Sequence, residues 1–538
     1  ARGELLDEAA ARRIAGLARR LAELEGVPQD LEWALADDTL YLLQARPITS
    51  APDAVRWEAP PGAWVRNFRL GEWIGDPVTP LFATWLLPRI EDRVTTNLGR
   101  LFGVTSLGRP SHVLVNGWYF YGLDLDVRGW ALARMIAVTL WSLITRFHQG
   151  ASLIPPIAHL GFRKELARWR TRLLPSYCEA VRRAEGAVER ATPEGLVALV
   201  DELGDHAGDS FFSIMGVAGY AAKAELPVAV LWKKELASLE HTFLDALASE
   251  RGHEPAAHHV TGLDWCFPTL GELGGLDQAS PASDAVARSR ARAEAARAAA
   301  RAALAARPRA LAKLEAALEE ARAAHAARAE QTDAFTLAWP VLRRAALRLG
   351  EHLVVRGAIA TAEDVFYVER AELDAVLRDE TGVLHASVEE RRRLWERRRR
   401  LTPPLLIGAL SGQFEKVFAM IDGVLADPRA EGAALRGMPG SPGRVTGRVR
   451  ILRSMAELDR LEKGEILVSP VTTPGWTPAF ARAAAVCTDT GSIASHASVG
   501  AREYGIPPVG ATGCATGTFC DGQLVTVDGS RGLVHLAT

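Results

Sequence analysis

Residues 4–25, ELLDEAAARRIAGLARRLAELE, repeat apolar positions at spacings of three and four, which predicts an amphipathic helix closed by Gly26. The next stretch, LEWALADDTLYLLQARPIT, changes to period two on both sides of Asp37-Asp38, which predicts a β-hairpin ended by Pro47. One helix and one hairpin are too small to bury a core of their own, so residues 1–50 read as the last piece of a larger domain. Residues 51–430 carry mostly helical periodicity, broken at Pro60-Pro61, Pro155-Pro156, Pro227, Gly271–Gly275 and Pro403-Pro404. Within them, residues 284–331 are so rich in Ala and Arg that one or two long helices are expected, their arginines reaching outward to solvent. Residues 431–538 change character. Glycine rises and short β-rich runs appear (RVTGRVRIL, EILVSP, AAVCTDT, PPVGA, QLVTVDG, GLVHL) around one helix at Ser495–Tyr504, so a β-rich domain with its own boundary near Ala430 is expected.

Composition adds few constraints. At ~150 residues per domain, a chain of 538 residues holds three or four. The formal net charge of −2 favours neither nucleic acid nor an acidic membrane surface as a partner. The five cysteines have no zinc or redox spacing, and Cys514 and Cys520 read as strand-borne thiols, so a reduced, cytoplasmic setting is expected. There is no secretory signal pattern at the N-terminus. The most apolar run, Trp130–Phe147, is interrupted by Arg134 and Arg146 and reads as a buried helix rather than a membrane span. Beginning at Ala1 without methionine, the chain reads as processed or as a fragment.

The segment with the clearest chemistry is TDTGSIASHASVGAREYGIPPVGA. A strand ends near Thr490, Gly491 permits a tight turn, and Ser495 is placed to N-cap a helix starting at His496, which Gly505 and Pro507 close. At a first helical position the free N–H groups and the dipole favour a dianionic phosphoryl group, and an imidazole nitrogen is a competent nucleophile. Arg502 lies further along the helix as a candidate for neutralising phosphate charge. Taken alone, His496 reads as a histidine that merely caps or packs at a helix start.

The same segment resembles the active-site signature of the phosphoenolpyruvate-utilising enzymes, which include phosphoenolpyruvate synthase, pyruvate phosphate dikinase and rifampin phosphotransferase. Thr490-Gly491, Ser495-His496-Ala497 and Ala501–Pro507 match its pattern, and GSPGRVTGRV, GEILVSPVTTPGWTPAF and VCTDTGS precede it in the family's order. The departures are Thr490 for a glycine, Ala494 for a frequent threonine and Gly500 for an apolar residue. The resemblance implies that His496 carries the phosphoryl group, with Gly491, Ser495, Ala497 and Arg502 supporting it.

LEWALADDTLYLLQARPIT resembles the end of the family's ATP-binding domain, which implies nucleotide roles for Glu32, Gln44 and Arg46, with Glu32 as a ligand for Mg²⁺. A surface hairpin with incidental polar residues is the alternative. For the three to share a face, the hairpin is expected to have an odd loop, Asp37–Thr39, pairing Ala36 with Leu40, Glu32 with Gln44 and Asp30 with Arg46. No glycine-rich phosphate loop precedes residue 30, so the chain alone is expected to be inactive with ATP.

The order of parts resembles rifampin phosphotransferase: a helical region lies between nucleotide remnant and histidine domain, and no phosphoenolpyruvate-binding barrel is expected after Thr538. The expected fold is therefore multidomain α+β. Residues 1–50 are a remnant of an ATP-grasp-like domain, 51–430 a mostly helical acceptor-binding domain, and 431–538 a β/β/α swivelling phosphohistidine domain. The expected function is transfer of the ATP β-phosphate through His496 to a hydroxyl of a small-molecule acceptor. The alternatives are a phosphocarrier served by a separate nucleotide-binding chain, or a non-catalytic sequestering protein. Three further groups are weighed. Trp118–Tyr121 with Phe211 and Phe212 read as core packing rather than an acceptor pocket. His253, His258 and His259 read as an exposed loop rather than a metal site. Glu351 and His352 read as a polar helix face rather than an acceptor-side base.

Overall fold

The structure is a computed structural model that describes residues 8–25, 29–36, 39–47, 55–66, 69–102, 112–122, 162–248, 255–274, 283–380, 382–409, 435–491 and 495–537. The run Trp130–Phe147, the residues His253 and Ala494, and the expected boundary at Ala430 lie outside the described residues.

The N-terminal helix α1 (Glu8–Glu25) leads into the antiparallel pair β1 (Gln29–Ala36) and β2 (Thr39–Pro47). Leu35, Tyr41, Leu42 and Leu43 remain exposed on this hairpin, as expected of a unit with too little chain to cover its own apolar side chains.

The helical region is built on α2 (Leu87–Phe102), α3 (Leu174–Ala187), α4 (Pro193–Glu235), α5 (Ser283–Leu304), α6 (Pro308–Phe335), α7 (Trp339–Val355) and α8 (His385–Arg399). The Ala/Arg-rich segment is two helices, α5 and α6, because Pro308 restarts the helix. By length and composition α4 is apolar enough to cross a membrane, but half of that apolar window is buried against neighbouring helices such as α2 and α6. The α2–α4 contact follows a four-residue period. Trp85, Arg89, Arg93 and Asn97 meet Asp201, Asp205 and Asp209 in a ladder of charged hydrogen bonds along one face of each helix.

Helical patterning hid a small sheet in this region, ordered β4-β5-β3-β6 from β3 (Trp64–Val65), β4 (His112–Val115), β5 (Trp118–Gly122) and β6 (Leu406–Ile407). Two of its strands have only two residues, too short for a period to register. Trp118, Tyr119, Phe120 and Tyr121 are buried in or beside this sheet and Phe211 is buried against Phe335, so the aromatic cluster is core.

The C-terminal domain is one mixed sheet of eight strands, β7 (Leu435–Arg436), β8 (Met438–Pro439), β9 (Arg444–Ile451), β10 (Ile466–Ser469), β11 (Ala485–Thr488), β12 (Pro508–Gly510), β13 (Leu524–Asp528) and β14 (Leu533–Leu536), ordered β7-β14-β13-β9-β10-β11-β12-β8. Strands β9 to β12 are parallel, with Ile466 between Val449 and Ala485. Both faces of the parallel strands are covered, which is why β10 and β11 read as unbroken apolar runs. Ile466, Val468 and Cys487 pack on one face; Leu467 and Val486 pack on the other with Trp476 and Phe480. Cys514 and Cys520, expected on strands, sit instead at the start of a short helix and in an exposed turn.

Gly208 lets α4 lie close to α2: a Cβ there would stand 2.6 Å from the Arg93 Cβ and 3.1 Å from the Ile90 carbonyl oxygen. Gly208→Ala is expected to force the helices apart and lower stability by about 1–3 kcal/mol, measured as the shift in urea midpoint at constant slope.

Candidate functional site: a histidine at an interdomain cleft

Strand β11 ends at Thr488, and the chain after it is held by hydrogen bonds to its neighbours. The Asp489 and Thr490 amides donate to the Ser469 and Pro470 carbonyls at 3.2 and 3.0 Å. The buried Asp489 carboxylate accepts from the Thr516 amide at 2.9 Å and from its hydroxyl. Burial raises this carboxyl above its usual range, while the Thr516 bonds and the charges of Arg66 and Arg453 oppose the rise. Gly491 has φ of 139°, a backbone conformation that favours glycine. Residues 492–494 lie outside the described residues, and helix α9 (His496–Glu503) begins at the expected histidine.

Ser495 is the N-cap residue, but its hydroxyl caps no backbone amide and lies 3.5 Å from the Ser498 hydroxyl. Ala497 is buried beneath the helix. The His496 ring stacks on Phe480 at 5.4 Å between centroids and 19° between planes. Gly500 makes that arrangement possible, since a Cβ there would meet the Phe480 ring at 2.7 Å. The family's apolar residue at this position is thus replaced by space for an aromatic shelf under the histidine.

Arg502 does not serve as expected. Its guanidinium is buried and donates through Nε and Nη2 to the Gly440 carbonyl at 3.0 and 2.8 Å, while its own carbonyl accepts from Ser289. Burial lowers its pKa, opposed by the charges of Glu225, Glu503 and Asp245. It ties α9 to the loop before β9 and to α5, with Nε and Nη2 committed to Gly440 rather than to a phosphoryl group.

His496 opens into a cleft between the two regions. The C-terminal wall includes Pro474, Val499 and Glu503, and the helical region supplies Glu72, Trp73, Ile214, His325 and Arg328. Besides the Ser289 bond, the turn Thr473–Trp476 makes a docking contact. The Thr473 hydroxyl and the Gly475 amide donate to the Val260 carbonyl, the latter at 3.0 Å, and the Trp476 indole donates to the Thr261 carbonyl at 2.8 Å.

The sequence reading passed over His325 and Arg328 because it placed residues 284–331 on a solvated face. That holds for Arg301, paired with Glu315, but Arg297, Arg328 and His325 turn inward. The signal available was the histidine itself: His325 stands beside the small residues Ala321, Ala324 and Ala327 that form the buried stripe of α6.

The hairpin corrects a second expectation. Ala36 pairs with Thr39, so two residues link the strands rather than three. A β-bulge between Glu32 and Trp33, with Leu43 as the extra residue, then restores Glu32 opposite Gln44 and Asp30 opposite Arg46. Glu32, Gln44 and Arg46 share a face by a different route from the one expected. Arg46 donates to Glu32 at 2.7 Å and lies 3.5 Å from Asp30, with all three side chains about half exposed. A magnesium ion demands near-octahedral oxygen ligands. The Glu32 carboxylate closes on a guanidinium instead, so these residues as arranged do not form a metal cradle.

Of the loop histidines, His258 and His259 are not exposed. His259 is fully buried, accepts from the Ala256 amide at 3.1 Å through Nδ1 and pairs through Nε2 with Asp333, and His258 Nε2 lies 2.9 Å from the Asp333 carbonyl oxygen. The three side chains gather within 4.8 Å, and these contacts pin the loop to the end of α6, which is why it can present Val260 and Thr261 for docking. Glu351 pairs with Arg348 on the outer face of α7 beside His352 and takes no part in the cleft.

Gly475 has no room for a side chain, because a Cβ would stand 2.5 Å from the Val260 carbonyl oxygen. Gly475→Ala is expected to undock the C-terminal domain while leaving each part folded: a larger radius of gyration by small-angle scattering, with an unchanged circular dichroism spectrum. An unchanged scattering profile would mean that this contact does not hold the two parts together.

Residues 461–532 match the mobile domain of PEP-utilising enzymes, and residues 1–60 match the AMP/ATP-binding domain of pyruvate phosphate dikinase. Among curated proteins, the chain is 34% identical over 200 residues to a rifampicin phosphotransferase of Streptomyces sviceus, covering 36% of this chain and 22% of that protein. It is 35% identical over 193 residues to the uncharacterized phosphotransferase YvkC of Bacillus subtilis, covering 36% and 23% respectively. It is 49% identical over 107 residues to a phosphoenolpyruvate synthase of Aeropyrum pernix, covering 20% and 13%. The matched stretch is thus less than a quarter of the length of each of these relatives. The chain thus matches the mobile domain of PEP-utilising enzymes around His496 and part of a nucleotide-binding domain of the same enzymes at its other end.

Proposed function

We propose that this chain is a phosphotransferase of the rifampin-phosphotransferase type. In this reading a ring nitrogen of His496 receives the β-phosphate of ATP and passes it to a hydroxyl of a small molecule held by the helical region. The observation that carries the reading is the position of His496: first residue of a helix, stacked on Phe480, at the edge of a cleft whose far wall belongs to the helical region. A helix start offers unsatisfied N–H groups to phosphoryl oxygens. The aromatic shelf fixes the ring plane, so that the attacking nitrogen is oriented before the donor arrives. A phosphoramidate formed there breaks into a new P–O bond as readily as the acceptor can lose its proton.

The exposed Leu35, Tyr41, Leu42 and Leu43 favour a refinement of this reading, in which the hairpin completes its sheet with the body of a nucleotide-binding domain, carried by the same polypeptide or by a separate chain. Arg46 and Gln44 would then contact nucleotide phosphate from the rim of that domain, with ATP as the phosphoryl donor.

Supplied with a chain that carries a complete AMP/ATP-binding domain of the family and with ATP labelled at the β-phosphate, the protein is expected to take up an acid-labile, base-stable label at His496 alone. His496→Ala is expected to abolish it. Label on any other histidine, or label that survives His496→Ala, overturns the reading, and a protein that never labels supports a sequestering role instead.

A further inference from the structure

In the cleft wall opposite His496, His325 is backed by a buried carboxylate, a pairing that packing does not require. His325 Nε2 on α6 lies 2.6 Å from Glu225 Oε1 on α4; the side chains are 10% and 3% exposed. Around them α4 and α6 meet through Ala221, Ala224, Ala321 and Ala324, all buried. Alanine in place of both residues would continue that apolar interface, whereas a buried ionisable pair carries a desolvation cost with no assured net gain in stability. The cost falls where His325 reaches the cleft shared with His496.

The surroundings suit a reacting hydroxyl. Nε2 faces the Glu225 carboxylate at ion-pair distance without hydrogen-bond geometry, which leaves Nδ1 as the ring nitrogen turned away from that carboxylate. One turn on, Arg328 lines the same cleft, 13% exposed and 3.4 Å from Glu72. Burial lowers the Arg328 guanidinium, and the charges of Glu72 and Glu225 oppose that shift. Glu72 and Glu503 offset the basic groups, and Trp73, Ile214 and Val499 supply an apolar surface, so the cleft favours a neutral alcohol with an apolar body over an anion.

We propose that His325 is the catalytic base that deprotonates a neutral alcohol as the phosphoryl group leaves His496, and that Glu225 is the positioning residue that orients it. The inference rests on His496 being the phosphoryl carrier. In the step, the alcohol oxygen bonds to phosphorus, the N–P bond breaks with its electron pair returning to the His496 ring, and the hydroxyl proton moves to His325 and then to solvent. Arg328 faces the transferring phosphoryl oxygens, where charge neutralisation matters most.

The test separates loading from transfer. Potassium phosphoramidate, which releases ammonia as it phosphorylates histidine, loads the full chain without ATP, and ³¹P NMR follows the phosphohistidine. Neutral alcohols from methanol to benzyl alcohol are then added, and phosphate monoester is measured. His325→Asn is expected to load as the wild type does and to form ester about 100-fold more slowly, in line with loss of a general base. His325→Ala is expected to regain ester formation when imidazole is added, which a folding defect would not do. Glu225→Gln is expected to slow transfer about tenfold, Glu225→Asp to recover most of it, and His325→Ala/Glu225→Gln to be no slower than His325→Ala, since the two act as one unit. Ester formation by His325→Asn at the wild-type rate, or no ester from any alcohol in the wild type, overturns the base assignment. Failure of the wild-type protein to load His496 overturns the carrier reading itself.

Discussion

The turn Thr473–Trp476 is fastened to the helical region by hydrogen bonds to the carbonyls of Val260 and Thr261, and the cleft at His496 depends on that attachment. These are bonds to backbone carbonyls of a loop that His258 and His259 anchor to Asp333. Such contacts ask little of side-chain identity and much of backbone distance, which is why a glycine stands at the closest point. In the proposed reading, a domain that presents one histidine to two places needs docking contacts that can be made and released.

Inside the C-terminal domain the opposite priority holds. The parallel strands are buried on both faces, α9 is bolted to the Gly440 carbonyl through Arg502, and the His496 ring rests on Phe480. Reorientation therefore has to occur as a rigid body, with the histidine keeping its relation to the helix start. Arg502 illustrates the division of labour. Buried and bonded to Gly440, it preserves the shape of the site, whereas Arg328, a cation that lines the cleft, comes from the helical region.

The hairpin reached the expected pairing by an unexpected route. Two-residue loops suit the twist of antiparallel strands, so the turn closes at Ala36 and Thr39. That register alone would have sent Glu32 and Gln44 to opposite faces. The bulge opposite Glu32 and Trp33 absorbs one residue and returns the polar side chains to a common face. A bulge has no strict sequence signature, and the alternating pattern around Asp37-Asp38 was equally consistent with a longer loop.

His496, its place at a helix start and the strand runs of the C-terminal domain were legible in the sequence, because they depend on local periodicity, capping chemistry and a dense motif within a single stretch of chain. The two helices of the Ala/Arg-rich segment were legible for the same reason. The sequence also located Arg502 correctly on its helix, but its partner, Gly440, lies in a different element, so its role as a clamp was not local information. The His325–Glu225 pair was invisible because its members are far apart in the chain, His325 on a helix rich in Ala and charged residues and Glu225 on a largely apolar one. Only the packing of α4 on α6 turned them inward, and only docking of the C-terminal domain set His325 across a cleft from His496. Local patterning determined the setting of His496, and long-range packing decided what faces it, because a cleft between two regions is a property of their contact and of neither segment alone.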